Sequence, residues 1–374
     1  RRLLALAGAT IARGVEAHVF TERDFAAHVE AAGGVWHDLY READPDDLDP
    51  ETQPRPSRNV TFAGLYADAV ARHVRETGAQ LVVHDTFTVV GRAAAHVLGL
   101  PAVNVCAGHA IDPRDPGRYA SLPPGDPRRH TSATCLRSVE LLRERYGFPD
   151  ASPFSYYSAL SPHLNVYCEP SLFLDEDTRR RLEPIAFFGS LLPERAPDGP
   201  PAAGASVYVS FGTIGWRYWA PEMLDALRAV VEALGDRPAL IGLGGADVTF
   251  ETPPNVRVER WADQWTALRG AGLFVTHHGL NSTHEAVWHG VPMLGYPLLG
   301  DQPGMAATCE RLGIAIPLAR AARAPIGRED VERALAAAET RGEEMRAALA
   351  RAREAEVEVI AARDEVLDRI LALA

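Results

Sequence analysis

The sequence predicts an α/β protein made of two doubly wound domains that face each other across a cleft. Three observations lead to this prediction. Apolar runs typical of strands alternate with amphipathic helical stretches, the pattern of βαβ units and parallel sheets. The 374 residues are enough for two domains of roughly 100–200 residues each. Near the middle, the segment 191–204 is crowded with Pro and Gly and is predicted to be the linker.

The first predicted domain comprises residues 1–190. A helix, Arg2–Arg13, leads directly into its first recognisable strand, whereas a doubly wound domain normally begins with a strand. We therefore expect the first strand and the loop after it to lie before Arg1. The predicted strands are Val15–Thr21, Val35–Leu39, Gln80–Asp85, Ala102–Cys106, Leu164–Cys168 and Ile185–Phe188, and helices are predicted at Asn59–Thr77 and Thr88–Leu98.

The second predicted domain comprises residues 205–355, and residues 356–374 form a C-terminal helix that is expected to pack back on the first domain. The chain ends in an Ala/Glu/Arg-rich helical tract, Glu343–Ala374, with one apolar stripe. The predicted strands are Ser206–Ser210, Ala239–Leu243, Val256–Glu259, Leu273–Thr276 and Pro292–Tyr296, and helices are predicted at Pro221–Leu234 and Asn281–His289.

Composition argues against several classes of function. A formal net charge of −12 makes nucleic acid an unfavourable partner. No apolar run approaches the roughly 18 residues of a membrane span, and no secretion signal is recognisable, so a cytoplasmic location is expected. The sequence contains no Lys and is rich in Ala, Gly and Pro, a coding bias that suggests an actinobacterium. Four widely separated cysteines argue against a zinc site or a disulfide framework: Cys106, Cys135, Cys168 and Cys309.

A candidate anion site follows the predicted strand Leu273–Thr276. The chain passes there through His277-His278-Gly279 into a helix whose first turn contains Asn281 and Ser282. Amides at a helix N-terminus are unpaired and carry positive partial charge, so this junction suits a phosphate or diphosphate. Gly279 allows the ligand to approach the backbone closely.

Further side chains extend this candidate site. Glu285 shares a helix face with Ser282, from which its carboxylate could reach a ribose diol. Trp261, after an earlier strand, offers a flat apolar surface for stacking a base. Asp301 and Gln302 follow a later strand and suit vicinal sugar hydroxyls. The pattern therefore predicts a site for base, ribose, diphosphate and sugar along one domain.

The same stretch resembles the donor-binding signature of family 1 glycosyltransferases, a class of two Rossmann-like domains called GT-B. That family includes plant secondary-metabolite enzymes and bacterial antibiotic and macrolide enzymes. Its signature runs W-x-x-Q, H-x-G-x-N-S-x-x-E, G-V-P and D-Q. The matching residues here, in order and at matching spacing, are Trp261, Gln264, His277, Gly279, Asn281, Ser282, Glu285, Gly290-Val291-Pro292, Asp301 and Gln302. A weaker resemblance extends over the whole chain.

The resemblance implies an enzyme of secondary metabolism, such as antibiotic biosynthesis, that moves a hexose with inversion from a nucleotide sugar to a hydroxyl of a small hydrophobic natural product. It implies no cofactor and no metal, and a monomer or homodimer. A carboxylate at Glu285, which many relatives with deoxythymidine donors lack, favours UDP over TDP. The resemblance implies that Trp261 contacts the uracil and that Gln264 and Glu285 contact the ribose. It further implies that the sugar contacts Asp301 and Gln302. The residues implied to contact the diphosphate are His277, Asn281, Ser282 and Thr213.

The resemblance also implies a His base that removes the acceptor's proton and an Asp that orients this base. Family members carry the base in the loop after the first strand, so we expect it before Arg1. Asp85 occupies the position of the orienting Asp, and His84 beside it points to the opposite face of the strand. His109 is a candidate for the acceptor pocket, with an ordinary loop histidine as the alternative. The loops expected to build that pocket are Tyr40–Arg58 and Gly108–Arg129.

Other interpretations of the motifs fit less well. A zinc site among the clustered histidines is disfavoured, because His284 and His289 are one residue too far apart for H-E-x-x-H. The D-x-D spacings of Asp44–Glu51 belong to a Pro-rich stretch typical of a solvated loop. Ile241–Gly245 lacks the following helix of a dinucleotide fingerprint. Two functional alternatives remain open: a nucleotide-sugar epimerase of the same fold, and a nucleotide-sugar-binding protein without catalysis.

Overall fold

Parallel sheets on either side of residues 191–205 form the framework of the protein. The computed structural model describes residues 2–53, 55–106, 108–110, 130–155, 160–190 and 206–374. The predicted linker 191–204 and most of the predicted acceptor loop, residues 111–129, lie outside these ranges.

The described part of residues 2–190 contains two parallel sheets. Strands β1 (His18–Thr21) and β2 (Val35–Asp38) pair with each other. A second sheet has the order β3 (Val82–Asp85), β4 (Ala102–Cys106), β5 (Leu164–Tyr167) and β6 (Ile185–Phe187). The helices are α1 (Arg2–Ile11), α2 (Ala26–Ala31), α3 (Pro45–Leu48), α4 (Ser57–Glu76), α5 (Val89–Leu98), α6 (Ala133–Arg145) and α7 (Glu176–Arg181), with single turns of 3-10 helix at Arg23–Phe25 and Ser171–Phe173.

Residues 206–374 contain one six-stranded parallel sheet, in the order β12-β11-β10-β7-β8-β9. The strands are β7 (Ser206–Ser210), β8 (Ala239–Gly242), β9 (Val256–Glu259), β10 (Ala271–Thr276), β11 (Met293–Gly295) and β12 (Ala315–Pro317). The helices are α8 (Trp216–Leu234), α9 (Gln264–Arg269), α10 (Leu280–His289), α11 (Gln302–Arg311), α12 (Arg328–Thr340), α13 (Gly342–Ala361) and α14 (Arg363–Leu371).

The strand order places a topological switch point between β7 and β10. The chain builds outward from β7 on one side and from β10 on the other, and Ser210 of β7 is in register with Thr276 of β10. In open α/β sheets, ligands bind at the carboxyl ends of the strands at such a switch point. The residues after Ser210 and Thr276 are therefore brought together at the position that favours a ligand.

Several predicted boundaries differ from the structure. The strand expected at Val15–Thr21 begins only at His18, after a turn that contains Gly14. The helix expected at Pro221–Leu234 begins at Trp216 and is kinked at Trp219, which has non-helical torsion angles. The single C-terminal helix expected at Glu343–Ala374 is two helices that meet at Ala362. Strand β12 and helices α9 and α11 are short and lie outside the predicted strands and helices.

The last helix, α14, packs on the sheet of the first half. Its Val366 and Ile370 share an apolar cluster with Val103 of β4 and Val166 of β5. Every residue of β4 and β5 is buried, as expected for parallel strands covered on both faces. Arg363 donates from Nε to the Phe188 carbonyl at 2.8 Å and from Nη2 to the Ser190 carbonyl at 2.6 Å, which ties α14 to the end of this half. Among the described residues, no helix combines the length and the apolar character needed to cross a bilayer.

Candidate functional site

The turn between β10 and α10 lies at the switch point of the second sheet. Gly279 is the N-cap residue of α10, and no side chain caps the helix there. His278 has a positive φ of 58°, an uncommon conformation for a residue with a side chain. The first amides of α10 have no partner within the helix and carry positive partial charge. An anion placed beside this turn would meet those amides directly.

His277 fits between two glycines at this turn. A Cβ added to Gly212 would lie 2.6 Å from His277 Nε2, and one added to Gly279 would lie 2.5 Å from it. Both distances are shorter than atoms tolerate, so this imidazole position requires glycine on either side. Burial lowers the pKa of His277 to about 4, so the ring is neutral near pH 7. A neutral imidazole can still donate one hydrogen bond to a phosphate oxygen.

Gln264 connects helix α9 to the face of α10 that carries Ser282 and Glu285. Its Nε2 donates to Glu285 Oε2 at 2.8 Å and to Ser282 Oγ at 3.1 Å. Burial raises the pKa of Glu285, and the hydrogen bond from Gln264 opposes this shift. The Asp263 side chain caps α9 by accepting from Thr266 N at 3.3 Å. Three residues of the predicted signature therefore meet in one partly buried polar patch.

Trp261 presents most of its side chain to solvent. It is 67% exposed, an unusual exposure for so large an apolar ring in a globular protein. One edge of the indole rests on Gly245, where an added Cβ would lie 2.7 Å from Cζ2. The backbone of Gly245 therefore supports the ring while the rest of it is open to stack on a planar ligand.

Asp301 and Gln302 occupy the start of α11 and face different partners. Asp301 Oδ2 accepts from the backbone N–H of His109 at 2.7 Å, so this carboxylate touches the first half of the chain. Gln302 is buried, and its Oε1 accepts from Leu298 N at 2.8 Å and from Leu299 N at 3.0 Å. The side-chain oxygen of Gln302 is therefore engaged by the backbone of the preceding loop. The amide nitrogen is the group suited to a sugar hydroxyl.

The remaining predicted donor residues are exposed around the same turn. Thr213 follows Gly212 and is exposed, and its Cα would lie 3.2 Å from a Cβ added to Gly244. Asn281 is exposed in the first turn of α10. The structure thus collects the predicted donor residues at the carboxyl edge of β7, β10 and their neighbours.

Asp85 ends β3 and organises the start of α5. Its Oδ1 accepts from Phe87 N at 2.8 Å, Thr88 N at 3.0 Å and Thr88 Oγ1 at 3.0 Å. His84 beside it is buried, and burial lowers its pKa to about 4. A Cβ added to Gly91 would lie 2.7 Å from His84 Cβ, so His84 packs against the first turn of α5.

His109 is buried between the two halves of the chain. Its Nδ1 is 2.9 Å from Glu169 Oε2, and its Nε2 is 3.2 Å from Thr308 Oγ1. Both ring nitrogens thus have protein partners, unlike those of a histidine lining an open pocket. Sequence reasoning missed Glu169 and Thr308, because nothing local marks residues that lie 60 and 199 positions from His109.

The second half of the chain matches a known sequence family. Residues 200–339 match the family described as UDP-glucoronosyl and UDP-glucosyl transferase. The similarity to this family thus covers residues 200–339. The matched range includes the turn at His277–Gly279, the Gln264–Glu285 pair and Asp301.

Curated relatives match over different parts of the chain. UDP-glucuronosyltransferase 3A1 of Mus musculus is 48% identical over 69 residues, which are 17% of this chain and 13% of that protein. Oleandomycin glycosyltransferase of Streptomyces antibioticus is 29% identical over 274 residues, which are 68% of this chain and 59% of that protein. The match thus spans less than two thirds of the length of either relative.

Solved structures match over nearly the whole chain. The glycotransferase of kitacinnamycin has a TM-score of 0.71 at 21% identity, covering 98% of this chain and 94% of that one. The Medicago truncatula protein UGT71G1, solved with UDP-glucose, has a TM-score of 0.69 at 14% identity, covering 97% and 93%. The spinosyn rhamnosyltransferase SpnG, solved with thymidine diphosphate, has a TM-score of 0.67 at 19% identity, covering 97% and 95%. The family resemblance and the α/β GT-B fold predicted from the sequence are confirmed.

Proposed function

We propose that this protein is an inverting glycosyltransferase that moves a hexose from UDP to a hydroxyl of a small hydrophobic natural product. The observation that carries the proposal is the convergence of Gln264, Ser282 and Glu285 beside the uncapped start of α10. This arrangement offers a carboxylate to a diol and the positive end of a helix to a diphosphate a short distance apart. A nucleoside-diphosphate sugar carries both a diol and a diphosphate.

The donor would extend from Trp261 to Asp301. The uracil stacks on the exposed indole of Trp261, and the ribose hydroxyls bind Glu285 and Gln264. The sugar binds the Asp301 carboxylate and the amide nitrogen of Gln302. The diphosphate is held at the β10–α10 turn by His277, Asn281, Ser282 and the hydroxyl of Thr213.

Glu285 supports UDP over TDP as the donor. A carboxylate in this patch can accept a hydrogen bond from a ribose 2′-hydroxyl, which deoxythymidine diphosphate lacks. Leaving a partly buried carboxylate without that partner disfavours the deoxy donor. The solved relatives include one complex with UDP-glucose and one with thymidine diphosphate, so the fold itself accommodates either nucleotide.

Transfer needs a base that deprotonates the acceptor and positively polarised groups that stabilise the negative charge of the leaving group. A histidine base takes the proton of the acceptor hydroxyl, the oxygen bonds to the anomeric carbon from the face opposite the diphosphate, and the diphosphate leaves with the bonding electron pair. The helix amides and neutral His277 stabilise the departing charge, so we assign no metal or other cofactor. Asp85 would orient the base through Oδ2, since Oδ1 is engaged by Phe87 and Thr88.

We place this reaction in the secondary metabolism of an actinobacterial cytoplasm, as one step in the biosynthesis of an antibiotic or a similar compound. The absence of Lys and the abundance of Ala, Gly and Pro support a GC-rich genome. A relative that is named for a transfer to oleandomycin supports an apolar natural product as the acceptor class. The first half of the chain, residues 1–190, would bind this acceptor.

The test is a matrix of donors against acceptors with the full-length protein. UDP-glucose, UDP-galactose and the TDP-hexoses are each incubated with macrolide, aromatic polyketide and flavonoid acceptors, and release of nucleoside diphosphate is measured with mass analysis of the acceptor. The proposal expects UDP release that depends on an acceptor and a product heavier by one hexose. Interconversion of UDP-hexoses without acceptor would instead identify an epimerase, and binding of UDP without any turnover would identify a binding protein.

A further inference from the structure

Four ionisable side chains from both halves of the chain meet in the buried interior. Glu169 follows β5, His109 follows β4, His284 belongs to α10 and Glu356 belongs to α13, and all four are almost completely buried. His284 Nδ1 is 3.3 Å from Glu356 Oε2, and its Nε2 is 3.7 Å from Glu169 Oε2. His109 Nδ1 lies 2.9 Å from the same Glu169 oxygen. His284 thus bridges two carboxylates that belong to different parts of the fold.

The buried groups of this cluster shift one another's pKa. Burial disfavours a charge on His284, but Glu356 and Glu169 outweigh it and raise its pKa to about 9. Burial likewise opposes the ionisation of Glu169, but His109 and His284 lower its pKa to about 2. The pKa of Glu356 is also lowered, since His284 and the Ser190 amide outweigh burial. At neutral pH, His284 is therefore an imidazolium between two carboxylates.

Side chains from three other elements contact His284, and two of them are carboxylates. Glu356 reaches it from α13, and Glu169 reaches it from the segment after β5. The third element, the turn Ser171–Phe173, presents the uncharged ring of Phe173, whose centroid is 4.6 Å from that of His284. His109 pairs with the same oxygen of Glu169 as His284 does.

The cluster lies directly behind the candidate donor site. His284 stands between Ser282 and Glu285 on the same helix, but it points toward the first half of the chain and α13. The same group of residues also touches the sugar end of the site, because the His109 backbone N–H donates to Asp301 at 2.7 Å. Glu356 reaches the end of the first half, where the Ser190 N–H donates to its Oε1 at 2.5 Å.

We propose that His284, as a cation held between Glu169 and Glu356, is a positioning residue that fixes the donor helix α10 relative to the first half of the chain. Donor and acceptor bind to different halves under the proposed function, on which the catalytic part of this inference rests. Loss of the cation removes the charge that two buried carboxylates share, and it leaves Glu169 with His109 and Glu356 with the Ser190 N–H, which disfavours the joined arrangement. The acceptor hydroxyl and the anomeric carbon then lose their alignment while the nucleotide contacts remain.

A merely stabilising ion pair makes a different prediction. It would lower the melting temperature without changing the kinetics of the folded enzyme. A positioning residue affects kcat at saturating donor, because a misplacement of about 1 Å can lower a rate by roughly 100-fold. Nucleotide affinity would stay near native, since Trp261, Gln264 and Glu285 all belong to the second half.

The experiment compares His284→Gln with His289→Gln. Both histidines are buried on α10, but His289 contacts the Trp265 ring and pairs with no carboxylate in the part of the chain that the structure describes. For His284→Gln we expect kcat to fall by about 100-fold with a UDP Kd within about 2-fold of native. For His289→Gln we expect near-native values of both. Native kcat in a folded His284→Gln variant would overturn the catalytic part of the inference.

A distance measurement tests the arrangement independently of activity. Spin labels are attached at Arg75→Cys on α4 and Glu329→Cys on α12, both exposed positions, while the four native cysteines are buried. We expect one narrow distance distribution for the native protein at pH 7, which broadens above pH 9 as His284 loses its proton. His284→Gln should show the broad distribution already at pH 7, and a native distribution there would overturn the inference.

The kinetic comparison and the distance measurement together separate failure of this inference from failure of the proposed function. If the native protein transfers no sugar but the label distances behave as described, only the transferase assignment fails. If His284→Gln does not fold by circular dichroism, Glu356→Gln takes its place, because it keeps the pair of His284 with Glu169. We then expect a broadened distribution and a kcat about 10-fold below native; native values of both would overturn the inference.

Discussion

Gln264 and Glu285 are joined by a hydrogen bond of 2.8 Å from Nε2 to Oε2, although they are 21 residues apart and belong to different helices. This bond fixes the carboxylate at the edge of the switch point, beside the amides that begin α10. The pair links the first two parts of the predicted signature, W-x-x-Q and H-x-G-x-N-S-x-x-E, into one surface.

Replacing Glu285 should weaken the binding of UDP more than the binding of TDP. Glu285→Ala removes the acceptor for a ribose 2′-hydroxyl, and a hydrogen bond to a charged group contributes about 1.5–3 kcal/mol. We expect the Kd for UDP, measured by calorimetry, to rise by about 10–100-fold and the ratio of UDP to TDP affinity to fall. Glu358→Ala, an exposed position on α13, is the control and should leave both affinities unchanged. An unaltered UDP to TDP ratio in Glu285→Ala would remove the basis for the ribose assignment.

Adding one methyl group at the β10–α10 turn should disturb the diphosphate site. In Gly279→Ala the new Cβ would lie 2.5 Å from His277 Nε2, so the imidazole or the turn must move. We expect a loss of stability of about 1–3 kcal/mol in urea unfolding and a clear rise in the Kd for UDP. Gly8→Ala in α1 is the matched control, since a Cβ there meets nothing within 4 Å. It should raise stability by about 0.5–1 kcal/mol, because Ala favours a helix interior over Gly.

Truncating Trp261 should reduce nucleotide binding with little effect on folding. Because the side chain is 67% exposed, its removal takes few contacts from the core. Stacking of a base on an aromatic ring contributes about 1–3 kcal/mol. Trp261→Ala should therefore bind UDP about 5–100-fold more weakly than the native protein, with a native melting temperature. The UDP affinity of Trp261→Phe should lie between those of Trp261→Ala and the native protein. A nucleotide affinity equal to native in Trp261→Ala would place the base elsewhere.

Stability should fall on the acid side of neutrality. Burial lowers the pKa of His277 to about 4 and that of His278 to about 3, from a usual value of 6.5. Below pH 6.5 the unfolded chain therefore binds protons that the folded chain excludes, and the free energy of unfolding decreases as pH decreases. His284 acts in the opposite sense, since its pKa of about 9 makes its contribution full below pH 6.5 and lost as pH rises through 9.

These shifts can be measured by urea unfolding between pH 4 and pH 9. We expect the midpoint to decline from pH 6.5 toward pH 4, and the decline to be shallower in His278→Asn, which removes one of the titrating groups. Asn also tolerates the positive φ that His278 adopts. An acid decline as steep as the native one in that variant would argue against this source of the pH dependence.

Two substitutions of Asp85 should separate its structural role from its proposed catalytic role. Asp85→Ala removes the oxygen that accepts from Phe87 N, Thr88 N and Thr88 Oγ1, and loss of a hydrogen bond to a charged group lowers stability by about 1.5–3 kcal/mol. Asp85→Asn keeps an oxygen for these bonds but loses the charge that would orient a histidine base. We expect near-native stability with a large loss of kcat in Asp85→Asn. Native turnover in this variant would show that the carboxylate is structural alone.

The sequence predicted the parts of the site whose physical cause is local. The strand that ends at Thr276, the turn at His277–Gly279 and the helix after it form one continuous stretch, so spacing alone revealed an open helix N-terminus. The exposed indole of Trp261 was also expected, because a large ring after a strand end suits a planar ligand. These features depend on neighbours within a few residues of each other.

The parts that escaped prediction depend on distant contacts. The cluster of Glu169, His284 and Glu356 joins residues more than 70 positions apart, and no periodicity marks such a meeting. The side chain of Gln302 was expected to face a sugar, but its oxygen binds the backbone of Leu298 and Leu299, a choice set by the path of the loop. The break between α13 and α14 at Ala362 follows from packing on the first half, because the local sequence favours an unbroken helix.

The fit of His278 against Gly295 has a consequence for any attempt to vary this site. A Cβ at position 295 would lie 2.5 Å from His278 Nε2, so the ring fills the space that a side chain at 295 needs. A mutational library that changes one position at a time would reject most residues at 295. Libraries that pair a small residue at 278 with a larger one at 295 would sample combinations that single replacements never reach.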